Sequence, residues 1–426
     1  MNRINICENI IQSIRDYITN PDNLAAYREK NRFVRKRKLT IFHVIMYLLF
    51  TSKASMYQNL FRIRAEMKNL KFPNVSKQAL SKARQFIHPD LFRVLFNISV
   101  DTFYQKLPKR RTWNGYHLFA IDGSKIELPN SKSNFEFFGD MFTYPNPERR
   151  FTMGLASIIY DVLDDYIVHA SFNPYLTSER WAAKDHIANL EGLDIFSDSI
   201  IIFDRGYYSE GMFRFFTERN HLCLMRLKTN MRMVKHCHGD TLSVLPGNPD
   251  LGTEDEQIRV IEVDLPNGTK EYLATNIFDP GITQEMFREL YFYRWPIEVK
   301  YRELKDRLCL EEFSGATAIS VMQEFYINVL LSNLASLIKN EADDTLQITP
   351  ENATRHRYQV NRSFIIGSIK LLLPKILCRT LSMSCIKELL DSARHTKGKV
   401  SPGRSFPRSN LKLKGRTHYK NQKVAF

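Results

Sequence analysis

The stretch from Tyr291 to Lys305, YFYRWPIEVKYRELK, sets Glu298 among several cations. In a helix, spacings of three, four and seven residues put four side chains on one face: Tyr291, Arg294, Glu298 and Lys305. One interpretation is a ladder of ion pairs on a solvated helix, which such spacing often produces. The other is that Glu298 holds a metal ion while the cations bind phosphates. The rest of the chain has to decide between them.

Two aspartates elsewhere follow apolar strands. The sequence predicts that Asp122 closes a strand at a turn formed by Asp122-Gly123-Ser124, and that Asp204 closes the apolar strand within residues 198–208. Carboxylates at the ends of adjacent strands converge at one edge of a sheet, and a helix packed there can add Glu298. Oxygen ligands of this kind suit Mg²⁺ or Mn²⁺. Two such ions promote in-line phosphoryl displacement.

Taken singly, each motif also has an ordinary structural explanation. Asp-Gly is most often a turn, and Asp-Arg-Gly is most often the exit of a strand. Arg205 is either a phosphate contact or an ion-pair partner of Asp122. Glu303 lies off the Glu298 face and is expected to pair with a lysine, and Trp295 is expected to be packed.

The composition predicts a polyanionic partner. A formal net charge of +15 and a pI near 9.4 favour double-stranded DNA. The most apolar run, residues 39–50, is about half as long as a membrane span requires, so we predict no membrane association. Six scattered cysteines do not suggest a disulfide scaffold, and the N-terminus shows no signal-peptide pattern. We therefore expect a reduced, cytoplasmic protein.

The elements that must position these residues form an α/β fold. Helical periodicity dominates up to residue 110, and strands mixed with helices follow from Gly115. The predicted organisation is a helical DNA-binding domain (1–110), the first part of an α/β core (111–228), a β-rich insertion (229–281), the second part of the core (282–340), a C-terminal helical region (341–393) and a basic flexible tail (394–426).

Two basic segments of the helical domain are candidates for DNA contacts. The run 28–40 includes Arg35, Lys36 and Arg37. The predicted helix within residues 72–87, capped by Ser76, would present cationic side chains on an exposed face as a recognition helix does, namely Lys77, Lys82 and Arg84. The equally weighted alternative is a basic helix that docks on the next domain.

The tail from Arg394 carries basic but no acidic residues. A run of one charge sign is typical of a flexible arm that follows the phosphates of DNA.

Together these motifs resemble the bacterial insertion-sequence transposases of the DDE type, in the family marked by the signature Y-x2-R-x3-E-x6-K. The signature is matched without a gap from Tyr291 to Lys305. Segments 120–129 and 201–209 are similar to the boxes of the first and second aspartates, and the segment RSFPR (404–408) before a basic tail is similar to members of the family. The resemblance runs from about residue 110 to the C-terminus.

This resemblance implies a ribonuclease H-like core in which Asp122, Asp204 and Glu298 are catalytic and hold two Mg²⁺ or Mn²⁺ ions. It assigns contacts with the DNA backbone to Tyr291, Arg294 and Lys305. It further implies that a homodimer binds terminal inverted repeats, nicks the ends and joins a 3′-hydroxyl to target DNA. Two alternatives stay open: a nuclease that cuts without joining, and a DNA-binding relative or repressor whose site is silent.

Overall fold

The computed structural model describes residues 2–34, 38–142, 150–265, 268–348 and 358–399. Two compact units are formed. The helical unit comprises Met1–Pro108, Ile126–Gly154 and Leu304–Phe426, and the sheet unit comprises Lys109–Lys125 and Leu155–Glu303. The residues 35–37 and the tail beyond residue 399, both predicted to contact DNA, lie outside the described residues. The predicted six-part organisation remains a prediction.

The helices of the described residues are α1 (Arg3–Thr19), α2 (Pro21–Ala25), α3 (Ile41–Phe50), α4 (Met56–Glu66), α5 (Lys77–Arg84), α6 (Asp90–Lys106), α7 (Lys132–Phe138), α8 (Glu179–Leu190), α9 (Glu210–Thr217), α10 (Arg232–Lys235), α11 (Gln284–Phe292), α12 (Trp295–Arg302), α13 (Ala318–Ile348), α14 (Arg362–Leu377) and α15 (Cys385–Arg394). The strands are β1 (His117–Leu128), β2 (Met141–Phe142), β3 (Arg150–Asp161), β4 (Tyr166–Pro174), β5 (Ser199–Phe203), β6 (Leu222–Arg226), β7 (Asp240–Leu245), β8 (Glu256–Asp264), β9 (Lys270–Thr275), β10 (Tyr358–Gln359) and β11 (Gly398–Lys399).

The main sheet has the strand order β2-β3-β1-β5-β6-β9-β8-β7, with β4 paired to β3. The strands β1, β5 and β6 are parallel neighbours. Every residue of β5, SIIIF, is buried, as expected for a parallel strand covered on both faces. The predicted α/β fold is therefore confirmed.

The segment predicted as a β-rich insertion continues this sheet. The strand β9 pairs antiparallel with β6, and β8 pairs with β9 and with β7. Two side chains also join the insertion to β6, because Thr275 donates its hydroxyl hydrogen bond to the carbonyl of Cys223 at 2.6 Å and Asn276 accepts the Cys223 amide at 2.8 Å. The insertion is mainly β, as predicted, but its strands belong to the core sheet.

The turn predicted at Asp122-Gly123-Ser124 is wrong. The strand β1 continues through these residues to Leu128. Its neighbour β3 is equally long, and pairing with this strand outweighs the local turn preference of Asp-Gly. Asp122 therefore lies inside a strand and does not close one.

The signature stretch is divided between several elements. The helix α11 starts after Thr283 and ends at Phe292, and α12 starts at Trp295. Pro296 has no N–H for a bond to the preceding turn, so it is tolerated in the first turn of a helix and disfavours one continuous helix. A π-helical turn follows at Glu303–Arg307. The prediction of one helix face from Tyr291 to Lys305 is wrong for this reason.

The helical unit is built around α13. This helix packs against α1, α6, α14 and α15. Residues Ala318–Leu346 are long and apolar enough to cross a membrane by length and composition, but 94% of the tested stretch is buried in the protein. The prediction that the most apolar run is only about half as long as a membrane span missed this helix, which is apolar on most of its faces because other helices surround it.

Candidate active site

Asp122 lies in β1 of the sheet unit, directly after four buried residues. Its Oδ1 accepts a hydrogen bond from the Gly123 amide at 2.9 Å, and its carbonyl accepts the hydroxyl of Tyr301 at 2.7 Å. Burial raises the pKa of Asp122 to about 7; the Gly123 amide and Arg294 oppose this shift, and the carboxylates of Glu179 and Asp204 add to it. The environment therefore disfavours the charged carboxylate unless a cation compensates it.

Asp204 follows β5 and lies beside Asp122. Ile121 and Phe203 are register partners on the parallel strands β1 and β5, so the next residue of each strand is an aspartate. The hydroxyl of Tyr291, from α11, donates a hydrogen bond to Oδ1 of Asp204 at 3.2 Å. The predicted convergence of these two acids at one part of the sheet is observed.

Glu298 is held by Arg294. The Nη2 atom of Arg294 lies 2.7 Å from Oε1 of Glu298, four residues along the chain. Arg294 is only 4% exposed, and its Nε has no hydrogen-bond partner among the described residues. The ion pair of the first interpretation is therefore present, but its arginine is buried and its glutamate partly buried, so it does not lie on a solvated helix face.

The predictions for two further residues of the signature stretch, Trp295 and Glu303, have different outcomes. Trp295 is 44% exposed, so the prediction that it is packed is wrong; α12 buries Ile297 and Tyr301 instead. Glu303 pairs with Lys300 at 3.6 Å, as expected. Lys305, in the helical unit, has its ammonium 3.7 Å from Glu311.

Arg205 is exposed and makes no ion pair with any described residue. The alternative that it pairs with Asp122 is therefore wrong, because its side chain points to solvent after the strand exit. A phosphate contact by Arg205 remains a prediction.

The predicted metal ligands fit a divalent cation in part. Asp122 and Asp204 offer oxygen atoms only, and the charge of Asp204 adds to the rise in the pKa of Asp122. Within the part of the chain that the structure describes, however, no three His, Cys, Asp or Glu side chains are close enough to hold a metal ion. Glu298 is near Arg294 and is not gathered with the two aspartates into a ligand cage.

Sequence reasoning missed two residues at this site, Glu179 and Tyr207. Glu179 is the first residue of α8, and burial followed by the charge of Asp204 raises its pKa, while Lys125 lowers it. Tyr207 is buried near Asp122, Asp204 and Glu179. The available signal for Glu179 was its position directly after Ser178, a residue type that favours the start of a helix, at the end of a strand pair.

The predicted recognition helix is α5 of the helical unit. Its cap is confirmed, because the Ser76 hydroxyl accepts the amide of Ala79 at 3.2 Å. Lys77 and Lys82 are exposed. Arg84 is buried and pairs with Glu324 of α13 at 2.8 Å, so its predicted place on the exposed face is wrong. Arg84 lies one helical turn after the buried Leu80 and therefore faces the core.

The chain matches known proteins in three comparisons. The family description "Transposase DDE domain" matches residues 113–334, which include Asp122, Asp204 and the whole signature stretch. The curated protein "Transposase InsG for insertion sequence element IS4" of Escherichia coli (strain K12) is 26% identical over 258 residues. That alignment covers 55% of this chain and 54% of the relative, so the chain spans about half the length of that protein.

One solved structure to which this chain is similar is the cryo-EM structure of the piggyBac transposase synaptic complex with hairpin DNA. Its TM-score is 0.46 at 11% sequence identity, over 96% of this chain and 88% of that chain.

Proposed function

Since this chain belongs to the family of transposase DDE domains, we propose that it binds the terminal inverted repeats of an insertion sequence, cleaves at the ends and joins the freed 3′-hydroxyl to target DNA. One observation carries the proposal. Asp122 and Asp204 follow register partners on neighbouring parallel strands, and the phenol of Tyr291 and the guanidinium of Arg294 lie against them. A ribonuclease H-like core, which the proposal assumes, would need these groups close together.

The proposed catalytic groups are Asp122, Asp204 and Glu298, which would hold Mg²⁺ or Mn²⁺. Two such ions, when bound, supply activation of the attacking hydroxyl and stabilisation of the leaving oxygen. Tyr291 keeps the Asp204 carboxylate in place through the hydrogen bond to its Oδ1. Glu298 becomes available as a metal ligand when the guanidinium of Arg294 binds another anion in its place.

The proposed phosphate contacts are Tyr291, Arg294, Lys305 and Arg205. Arg294 is suited to this task because a guanidinium grips a phosphate with two parallel hydrogen bonds, and its Nε lacks a partner among the described residues. A DNA phosphate that accepts these donors replaces the Glu298 carboxylate as counter-charge.

The proposed partner is double-stranded DNA, bound by a homodimer on paired ends in the cytoplasm. The excess of Lys and Arg supplies the electrostatic attraction. In the helical unit, Lys82 lines a cavity of about 620 Å³ together with Arg32, Lys38, Phe33 and Phe86. This basic and aromatic surface beside the exposed Lys77 favours backbone contacts by α5.

A second candidate function is a DNA-binding relative whose site is silent. The observation that favours it is the Arg294–Glu298 ion pair, in which a guanidinium and not a metal ion balances the Glu298 charge. A nuclease that cuts without joining has the same core and differs only in the products it makes.

Cleavage and joining of DNA that carries the element's own ends, in Mg²⁺, separates these functions. Wild type is compared with Glu298→Gln, which removes one carboxylate charge and keeps the shape, and with the exposed Glu218→Gln as control. We expect wild type and control to nick and join, and Glu298→Gln to bind the ends with at least a ~100-fold lower cleavage rate. Binding without cutting by all three proteins supports the silent relative, and nicking without joining supports the nuclease.

A further inference from the structure

We propose that Glu179 is a further carboxylate ligand of the divalent-cation site, joining Asp122 and Asp204 from the first turn of α8. The proposal rests on the proposed function in one respect, namely that the site takes a hard divalent cation. It adds a residue that lies outside the signature stretch and outside the two aspartate segments.

Two glycines show how close the Glu179 side chain lies to the backbone beside both aspartates. Gly123 directly follows Asp122, and a Cβ atom added there would lie 3.1 Å from Cγ and 3.3 Å from Oε1 of Glu179. Gly206 lies two residues after Asp204, and its added Cβ would lie 3.9 Å from Oε2 of Glu179. The glutamate side chain therefore passes close to the backbone that follows both aspartates.

The carboxylate of Glu179 has no hydrogen bond or ion pair with any residue that the structure describes, although two cations are near. The ammonium of Lys125 donates to the hydroxyl of Tyr175 at 2.7 Å. The guanidinium of Arg180 donates to the carbonyls of Gly206 at 3.2 Å and Tyr208 at 2.9 Å. All of these residues except Tyr208 line one cavity of about 350 Å³ with Glu179, which gives its side chain room to move.

The hydroxyl of Tyr207 is an independent sign of a ligand at this place. Tyr207 is 1% exposed, and its hydroxyl has no hydrogen-bond partner among the described residues. Burial raises the pKa of Tyr207, and the charges of Asp122, Glu179 and Asp204 raise it further, so the phenol lies near the three acids. Buried hydroxyls are almost always hydrogen-bonded, and a ligand or its water supplies such a partner.

The nearby Tyr301 shows the contrast. Its hydroxyl, also buried among these groups, donates to the carbonyls of Asp122 at 2.7 Å and Ala156 at 3.0 Å. Carbonyls of the sheet therefore satisfy the buried hydroxyl of Tyr301, whereas no described residue satisfies that of Tyr207.

The chemistry of the ligand follows from the donors. Three carboxylates and a phenol are hard oxygen groups, and the carboxylates repel one another unless a cation lies between them. The three carboxylates do not yet form a ligand cage in the described structure. Cation binding therefore requires another rotamer of Glu179, whose side chain turns about three single bonds and has no hydrogen bond or ion pair among the described residues to hold it.

Cation binding by the full chain without DNA tests the inference independently of catalysis. Binding of Mn²⁺ is followed by electron paramagnetic resonance, and the Mg²⁺-dependent rise of the melting temperature is followed by circular dichroism. The proteins are wild type, Glu179→Gln, Asp204→Asn and the exposed control Glu218→Gln. We expect Glu179→Gln to lose about tenfold or more in Mn²⁺ affinity, as Asp204→Asn does, and Glu218→Gln to match wild type.

The variant Tyr207→Phe keeps all carboxylates and removes the unpartnered hydroxyl, so it guards against an effect of misfolding in Glu179→Gln. A smaller loss of Mn²⁺ affinity is expected for it, with an unchanged melting temperature in the absence of cation. If Asp204→Asn loses affinity while Glu179→Gln binds Mn²⁺ as wild type does, the inference is overturned and the proposed function stands. If wild type itself binds no Mn²⁺, the cation dependence of the proposed function fails as well.

Discussion

Replacing Arg84 with methionine is expected to destabilise the helical unit strongly, because it breaks a buried charge pair. The side chains of Arg84 and Glu324 are 5% and 11% exposed, and their closest N and O atoms are 2.8 Å apart. Arg84 also donates to the Gln323 side chain and to the Ser320 carbonyl, each at 2.8 Å. Methionine fills similar space and supplies none of these donors.

The magnitude follows from the carboxylate that is left behind. Removing one partner of a buried ion pair costs about 3–5 kcal/mol, since the other charge stays buried without compensation. The amide and hydroxyl of Ser314 still donate to Glu324, at 2.9 Å and 2.6 Å. These bonds place the expected loss in the free energy of unfolding at the lower end, about 3 kcal/mol at neutral pH.

Acid pH should reduce this difference. Burial raises the pKa of Glu324, but Arg84, Lys53 and Ser314 outweigh it and hold the pKa below its ordinary value of 4.5. In wild type the contribution of Glu324 is therefore present above pH 4.5 and lost as the pH falls through the folded pKa. Without Arg84 the buried carboxyl binds a proton more readily. Lowering the pH therefore reduces the destabilisation of the variant and lowers the free energy of unfolding of the wild type.

Urea unfolding at neutral and acid pH measures both effects, with Lys82→Met on the exposed side of the same helix as control. The control is expected to change the free energy of unfolding by no more than about 0.5 kcal/mol. The reasoning is refuted if Arg84→Met resembles Lys82→Met at both pH values.

Two further outcomes concern Lys370 and Lys82. Burial and the charge of Lys53 lower the pKa of Lys370 from 10.5 to about 8, so between these values the unfolded chain binds more protons and stability rises with pH. Urea unfolding at about pH 8 and about pH 10 should show this rise in wild type and a flatter profile in Lys370→Met; equal profiles would contradict it. Lys82→Ala is expected to lower the slope of log affinity against log salt by about 1 in DNA-binding titrations, and an unchanged slope would remove Lys82 from the phosphate contacts.

The sequence predicted the parts of the site that depend on local pattern. Asp204 follows an apolar strand, as expected, because the end of such a strand is signalled by a few neighbouring residues. Asp122 was predicted as an acid of the site, but the strand around it continues, since pairing with β3 is a tertiary effect. A short pattern could not reveal that neighbour.

The remaining errors have the same origin. The exposed face of α5 was predicted from the charge of its residues. Arg84 is buried because it pairs with Glu324 of α13, which lies 240 residues later in the sequence. Pro296 was visible in the sequence, yet the spacing of the signature suggested one continuous helix. Glu179 was missed because its nearness to Asp122 and Asp204 arises only when β1, β5 and α8 come together.

The continuity of the sheet also limits how the protein can be trimmed. The strand β6 buries Cys223, Leu224 and Met225, and its outer edge is satisfied by β9. Excision of residues 229–281 to obtain a minimal core leaves the backbone amides and carbonyls of that apolar edge open. An unpaired edge of this kind templates association with other chains. The insertion is thus a built-in protection against aggregation as well as a segment that can acquire new contacts.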